Sequence, residues 1–304
     1  MNVQDISELL AKSSYVADDS LSEMVWMGLT IDRPLLLEGE AGVGKTAIAH
    51  ACSVGLNRPL FRLQCHESLD LNQAVYEWNY SRQLLEIRLR EAEGGDKSGL
   101  RNELFSQEFL LQRPLMQAIT SSVPSVLLID EIDRTDEAFE AYLLEVLGEF
   151  QITVPELGTI KATTRPLVIL TSNGTRDLSD ALRRRCLYHY VDYPSIPREL
   201  TIVQTLIPEA NLELLQQAVI FVHQLRKEDL DYTPGIAETL DWIRLLCARK
   251  LEKLPETPEE FVGTLSALLK TRNDQWQVST QVLSKLTGSG NRVGIDAGVV
   301  ASRK

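Results

Sequence analysis

Short unbroken apolar runs alternate in this chain with longer stretches whose apolar residues recur at helical spacing. Residues 18–31 carry Leu21, Met24, Val25, Met27 and Leu29 on a helical period, with Asp19 and Ser20 placed to cap the helix. Pro34–Glu38 then reads as a buried strand, and Ala47–Cys52 as a helix. Leu60–Cys65 alternates in part and predicts a second strand. Arg82–Glu93 and Phe109–Thr120 read as helical, the latter beginning near Arg113 because Pro114 suits a first helical position. Between them, Glu93–Gly99 predicts a mobile loop. Val126–Glu131 is a buried strand that ends in two carboxylates, followed by a helix over Glu137–Leu147 closed by Gly148. Phe150–Val154 and Thr159–Thr163 flank Pro155-Glu156-Leu157-Gly158 as a hairpin. Leu167–Leu170 and Leu187–Val191 complete the strands.

After Pro194 and Pro197 only helical patterns remain, so a domain boundary is expected there. The chain divides into a nucleotide-binding domain over 1–195, a helical domain over 196–270 and a polar, loosely ordered tail over 271–304. Strands alternating with helices predict an α/β fold, a mainly parallel sheet sandwiched by helices. Ligands of such sheets bind outside the carboxyl ends of the strands. Gly39, Asp130, Glu131 and Asn173 all fall at those ends, so three distant stretches of sequence converge on one place.

The first of these stretches is Gly39-Glu40-Ala41-Gly42-Val43-Gly44-Lys45-Thr46, which fits the phosphate loop G-x-x-x-x-G-K-[ST] at every defined position. It lies between a predicted strand and a predicted helix, the context the motif needs. Glycines let backbone N–H groups curl around phosphate oxygens, and the helix N-terminus adds the positive end of its dipole. Lys45 would reach the β- and γ-phosphates of ATP, and Thr46 would hold Mg²⁺. Asp130, at a buried strand end, would position the Mg²⁺, and its neighbour Glu131 would polarise the attacking water. Asp133 also suits a helix N-cap. Asn173 can hydrogen-bond both the γ-phosphate and the water, although Asn173-Gly174 is a turn signal as well. Arg183-Arg184-Arg185 reads as a solvated face, or as an arginine finger serving a neighbouring subunit, with Arg184 and Arg185 the better placed. Tyr76, Trp78 and Tyr80, set among Glu67, Asp70 and Glu77, suit core packing and a protein-contact loop equally.

Composition narrows the partners. A formal charge of −12 over 304 residues argues against non-specific nucleic-acid binding. The four cysteines are scattered with no C-x-x-C pair, which favours buried free thiols over metal or disulfide roles. No apolar run approaches a membrane span, and Met1-Asn2-Val3-Gln4-Asp5 does not open a secretory signal, so a cytoplasmic protein is expected.

Taken in order, the phosphate loop, Leu127–Glu131 as Walker B, Thr171-Ser172-Asn173 as sensor 1, the arginine cluster and a helical lid resemble an AAA+ ATPase over roughly residues 15–270. An insertion around 67–80 and the hairpin at 151–165 are similar to those of the helix-2-insert clade that contains the MoxR proteins. Tyr76–Tyr80, Arg82–Leu85 and Val154–Gly158 look like the CoxD-type branch. The resemblance implies a hexameric ring that hydrolyses ATP as a chaperone. It also implies a partner bearing a von Willebrand factor A domain and a client metalloenzyme of the molybdenum hydroxylase or carbon monoxide dehydrogenase kind. In the lid the sequence departs from the family, because Thr233-Pro234 is followed by Gly235 and no arginine appears until Arg244. Two other readings remain: a nucleotide-gated adaptor without turnover, and a nucleic-acid motor suggested by Asp130-Glu131-Ile132-Asp133. The acidity and the single phosphate loop disfavour the motor.

Overall fold

A computed structural model describes residues 1–93, 103–255, 257, 260 and 262–279. The strands are β1 (Leu35–Glu38), β2 (Leu60–Gln64), β3 (Tyr76–Trp78), β4 (Leu110–Gln112), β5 (Val126–Asp130), β6 (Gln151–Val154), β7 (Gly158–Lys161), β8 (Leu167–Ser172) and β9 (Leu187–Tyr190). The helices of the first unit are α1 (Val3–Ala11), α2 (Asp19–Ile31), α3 (Lys45–Leu56), α4 (Leu71–Ala74), α5 (Tyr80–Glu93), α6 (Pro114–Thr120), α7 (Glu137–Glu149) and α8 (Asp180–Arg185). The second unit holds α9 (Ile196–Leu206), α10 (Leu212–Leu225), α11 (Ile236–Ala248) and α12 (Arg272–Gln277).

The apolar runs form one parallel sheet in the order β2-β5-β8-β1-β9. Every residue of β5 and β8 is buried, as expected of central strands covered on both faces. The register sets Gln64 beside Asp130 and Glu38 beside Ser172, so the carboxyl ends of β2, β5, β8 and β1 line one edge. That edge carries the candidate chemistry.

Several local readings change. Asp18, not Asp19 or Ser20, caps α2: its backbone is extended and its Oδ1 accepts from the Leu21 N–H at 2.7 Å. Helix α7 runs through Gly148 and ends at Phe150, whose left-handed φ of 50° is held by burial of its ring. Leu110–Gln112 is a strand and not helix, because it pairs antiparallel with β3, Trp78 opposite Leu110. The helix waits for Pro114, since the residue before a proline is pushed out of the helical region. The hairpin is present, its second strand starting at Gly158 with φ 79°, and Ile152 and Val154 point into the core. The expected loop at 93–99 lies outside the described residues beyond Glu93.

The aromatic trio divides. Trp78 is 6% exposed and meets Phe105 edge-to-face at 5.1 Å and Tyr76 at 6.2 Å, whereas Tyr80 is 66% exposed. Trp78 is therefore core, and Tyr80 is the surface residue. Trp78→Ala is expected to cost about 3–5 kcal/mol. Tyr80→Ala should stay within ~0.5 kcal/mol of the parent. Urea denaturation of both variants measures the difference.

The second unit comprises Ala41–Gly44 and Tyr193 onward. Its core forms around Trp242, Leu214, Val219, Leu246 and Leu265. A fully buried carboxylate, Glu199, is held there by both arms of Arg226 at 2.6 and 2.8 Å and by the Thr239 hydroxyl at 3.1 Å. A buried charge is tolerable only with that degree of pairing. His223 stands 2.8 Å from the same carboxylate, and burial draws its pKa down against the pull of Glu199. Arg244 is paired with Asp241 on the exposed side of α11. The expected tail does not begin at 271. Asp274 of α12 is buried and accepts the N–H groups of Asp231 and Tyr232, which ties the helix down; 280–304 lie outside the described residues.

Candidate functional site

The phosphate loop starts where β1 ends. A Cβ on Gly39 would fall 2.3 Å from the Val191 carbonyl, so only glycine fits there. Gly42 and Gly44 take φ of +80° and +95°, a region that side chains resist. The loop runs directly into α3, whose first residue is Lys45. Lys45 is 6% exposed, and its Nζ donates to the carbonyls of Gly39 and Glu40 at 2.7 Å each. Burial pulls its pKa down, opposed by the charges of Asp133, Glu40, Asp130 and Glu131. A lysine held by carbonyls rather than by a carboxylate can transfer its three donors to phosphate oxygens with little competition.

Thr46 points its Oγ1 at Asp130 Oδ1, 3.0 Å away. Thr171 of β8 donates to the same oxygen at 2.6 Å. The hydroxyl and the carboxylate together form a hard, all-oxygen pair of the kind Mg²⁺ takes when phosphates and water complete its shell. The residues present fit that ion.

Glu131 leaves the strand in a left-handed conformation, φ 57° and ψ 50°. Its N–H donates to Thr171 Oγ1 at 2.9 Å. The Glu131 side chain is 30% open to solvent, against 3% for that of Asp130. Glu131 Oε2 accepts from Gln64 Nε2 at 3.0 Å and pairs with Arg134 Nε at 3.0 Å. A non-glycine residue at positive φ costs free energy that the surroundings must offset, and such residues gather at functional sites.

Asp133 does not cap a helix. Asp136 caps α7 instead, accepting from the Phe139 N–H at 2.8 Å. Asp133 accepts the N–H of Asn173 (3.2 Å), the N–H of Thr175 (3.0 Å) and the Thr175 hydroxyl (2.7 Å). Burial raises its pKa, but these hydrogen bonds outweigh that and hold the carboxyl below its usual range. Asp133 thus fastens the loop after β8 to the loop after β5 and fixes where half-buried Asn173 stands.

The arginine cluster also divides. Arg183 Nη2 lies 3.3 Å from Glu38 Oε2 and its guanidinium stacks over Tyr188, so it is engaged within its own chain. Arg184 and Arg185 are exposed, while their carbonyls accept from Arg33. Cys52, Cys65 and Cys186 are buried, and burial pushes each thiol up to about 12, so they are inert packing residues.

The site contains residues that the sequence reading passed over, since Arg62, Gln64 and Arg134 bond the two carboxylates; Thr171, read only as part of sensor 1, donates to Asp130, and Asp133, read as a cap, orients the Asn173 loop. One signal was available, since Arg62 and Gln64 are two apart on a strand and share a face.

A phosphate loop, two carboxylates at the next strand end and a polar loop beyond, all on one edge of a parallel sheet, define a P-loop nucleotide-binding domain. The ATPase family associated with various cellular activities (AAA) matches residues 35–191, just over half of the chain, and the chain belongs to that family. It is 27% identical over 192 residues to an uncharacterised protein of Staphylococcus haemolyticus, covering 60% of this chain and 65% of that one. It is 26% identical over 216 residues to the gas vesicle ATPase GvpN of Haloferax mediterranei, covering 68% and 60%. The chain thus spans less than two thirds of the length of these relatives. Among solved structures, a point mutant of Thermotoga maritima RuvB aligns with a TM-score of 0.48 at 16% identity, over 88% of this chain and 70% of that one. No helix among the described residues is long and apolar enough to cross a membrane.

Proposed function

We propose that this chain is an ATP-hydrolysing chaperone of the MoxR type, in its CoxD-like branch. The observation that carries the ATPase reading is the convergence of Lys45, Thr46, Asp130, Glu131 and Asn173 on one sheet edge. In this reading the backbone of Gly39–Gly44 cradles the phosphates, and Lys45 moves from the loop carbonyls to the β- and γ-phosphates. Thr46 and Asp130 would hold Mg²⁺, which offsets phosphate charge when bound. Glu131 takes a proton from the attacking water, and Asn173 aligns that water against the γ-phosphate. Arg184 or Arg185 would reach a neighbour's site, which makes a closed ring, six subunits by family resemblance, the working form.

The MoxR assignment rests on the motifs and on two elements outside the main sheet, the β3–β4 ribbon and the β6–β7 hairpin. Their chemistry favours protein over nucleic acid as the partner. Arg165, one of two cations at the hairpin, pairs with Asp32 and lies over the Phe150 ring. Next to the ribbon, α5 exposes Tyr80, Leu84, Leu85 and Leu89. These apolar side chains suit a von Willebrand factor A domain protein or a metalloenzyme client, with molybdenum hydroxylases the class proposed. The engagement of Glu131 by Gln64 and Arg134 favours a second reading, a nucleotide-gated adaptor with little turnover.

Steady-state ATPase rates with and without the partner decide between the two. Turnover that rises with the partner supports the chaperone; nucleotide binding with no turnover under either condition supports the adaptor. Leu84→Ser with Leu85→Ser is expected to leave basal turnover intact and to abolish the partner's stimulation. Full stimulation of the folded double variant would place the contact elsewhere. Sedimentation with a non-hydrolysable ATP analogue is expected to show the ring, and a strict monomer with full activity would end the finger hypothesis.

A further inference from the structure

The two oxygens of Asp130 have separate partners. Oδ1 takes the hydroxyls of Thr46 and Thr171; Oδ2 takes Arg62 Nη2 at 2.6 Å. Arg62 comes from the neighbouring strand β2, where it stands two residues before Gln64 and on the same face. The same Nη2 lies 2.6 Å from Gln64 Oε1, and Gln64 passes its amide on to Glu131. The guanidinium is therefore oriented from two sides. Asp130 is 3% exposed at its side chain and Arg62 is 52% exposed, so a cation from the surface reaches a carboxylate that is almost wholly out of water.

We propose that Arg62 weakens the Mg²⁺ affinity of the nucleotide site and so keeps metal binding dependent on the phosphates that arrive with it. The proposal rests on the nucleotide-site reading above. A guanidinium on Asp130 Oδ2 offsets the negative charge that draws a divalent cation, and it repels that cation directly. The charge of Lys45 already acts on Asp130, and Arg62 adds another directly on its Oδ2. Half of the Arg62 side chain faces solvent, so screening limits the effect to roughly threefold to tenfold in affinity. A site poised this way would also let Mg²⁺ leave readily with the spent nucleotide.

The test is Mn²⁺ binding to the full chain in the presence of ADP, read by electron paramagnetic resonance of free Mn²⁺, which requires no turnover. Arg62→Gln is expected to bind Mn²⁺ roughly threefold to tenfold more tightly than the parent. Arg62→Lys keeps the charge and should stay close to the parent. Melting curves check folding, and Arg62→Leu replaces the glutamine variant should that variant not fold. Mn²⁺ affinity of the charge-removing variant within twofold of the parent, or weaker, overturns the proposal. Equal tightening by Arg62→Lys also overturns it, because shape rather than charge would then be responsible. A parent that binds no Mn²⁺ with ADP would instead remove the nucleotide-site reading on which the proposal stands.

Discussion

Glu131→Gln is expected to keep ATP bound while turnover falls by roughly 10²- to 10⁴-fold, the range typical of losing a positioned general base. The amide has the same shape as the carboxylate and lacks its basicity. Its oxygen can still accept from Gln64, and the left-handed backbone at residue 131, stitched to Thr171 through the N–H, does not depend on the side-chain charge. What is lost is the proton acceptor and the ion pair with Arg134. The side chain is 30% exposed, so folding stability should change little. Single-turnover hydrolysis, set beside equilibrium binding of a fluorescent ATP analogue, separates the two effects. Hydrolysis at the parent rate would remove Glu131 from the role of base. Loss of binding together with loss of rate would mean that Glu131 holds the site together rather than activating water.

Lys45→Ala is expected to lower ATP affinity by about 100-fold or more, the scale found when one partner of a buried charge pair is truncated. The reason lies in the surroundings of Lys45. Asp133, Glu40, Asp130 and Glu131 all act on its charge, and it is the side chain among them that carries positive charge into the loop. Without it, a triphosphate would meet carboxylates with less to offset the repulsion. The alanine variant also leaves the Gly39 and Glu40 carbonyls without the donor that curls the loop around them. Isothermal titration calorimetry with ATP measures the loss. An affinity equal to the parent's would refute the phosphate-loop assignment.

Much of this site is legible in the sequence, for a physical reason. A phosphate loop is a local object: glycines at fixed offsets, a lysine and a threonine, a strand before and a helix after. Each requirement is met by residues within a dozen positions. The same holds for an apolar run that ends in Asp130 and Glu131. Burial on both faces of a central parallel strand leaves little choice but apolar residues, and a pair of acids there breaks the pattern visibly. Segments whose fate depends on remote partners read less well. Leu110–Gln112 looked helical until β3 gave it a strand to pair with. Asp133 had the sequence of a cap, yet its Oδ2 accepts from Asn173 and Thr175, about forty residues away. Residues 272–277 looked like tail until the Asp274 carboxylate found two backbone donors on another segment.

The sequence by itself determined the sheet-forming runs, the phosphate loop, the paired carboxylates and the turn that carries Asn173, since each is set by neighbours along the chain. The tertiary structure alone decided what each side chain faces. The register of β2 against β5 placed Arg62 and Gln64 beside Asp130 and Glu131. The β3–β4 pairing set Trp78 opposite Leu110 with its ring buried, while Tyr80, at the start of α5, is exposed. The position of α8 gave Arg183 to Glu38 and left Arg184 and Arg185 exposed. Strand register has a period of two, so a shift of one residue would exchange every one of the strand partners, and no stretch of sequence contains the strand it will pair with.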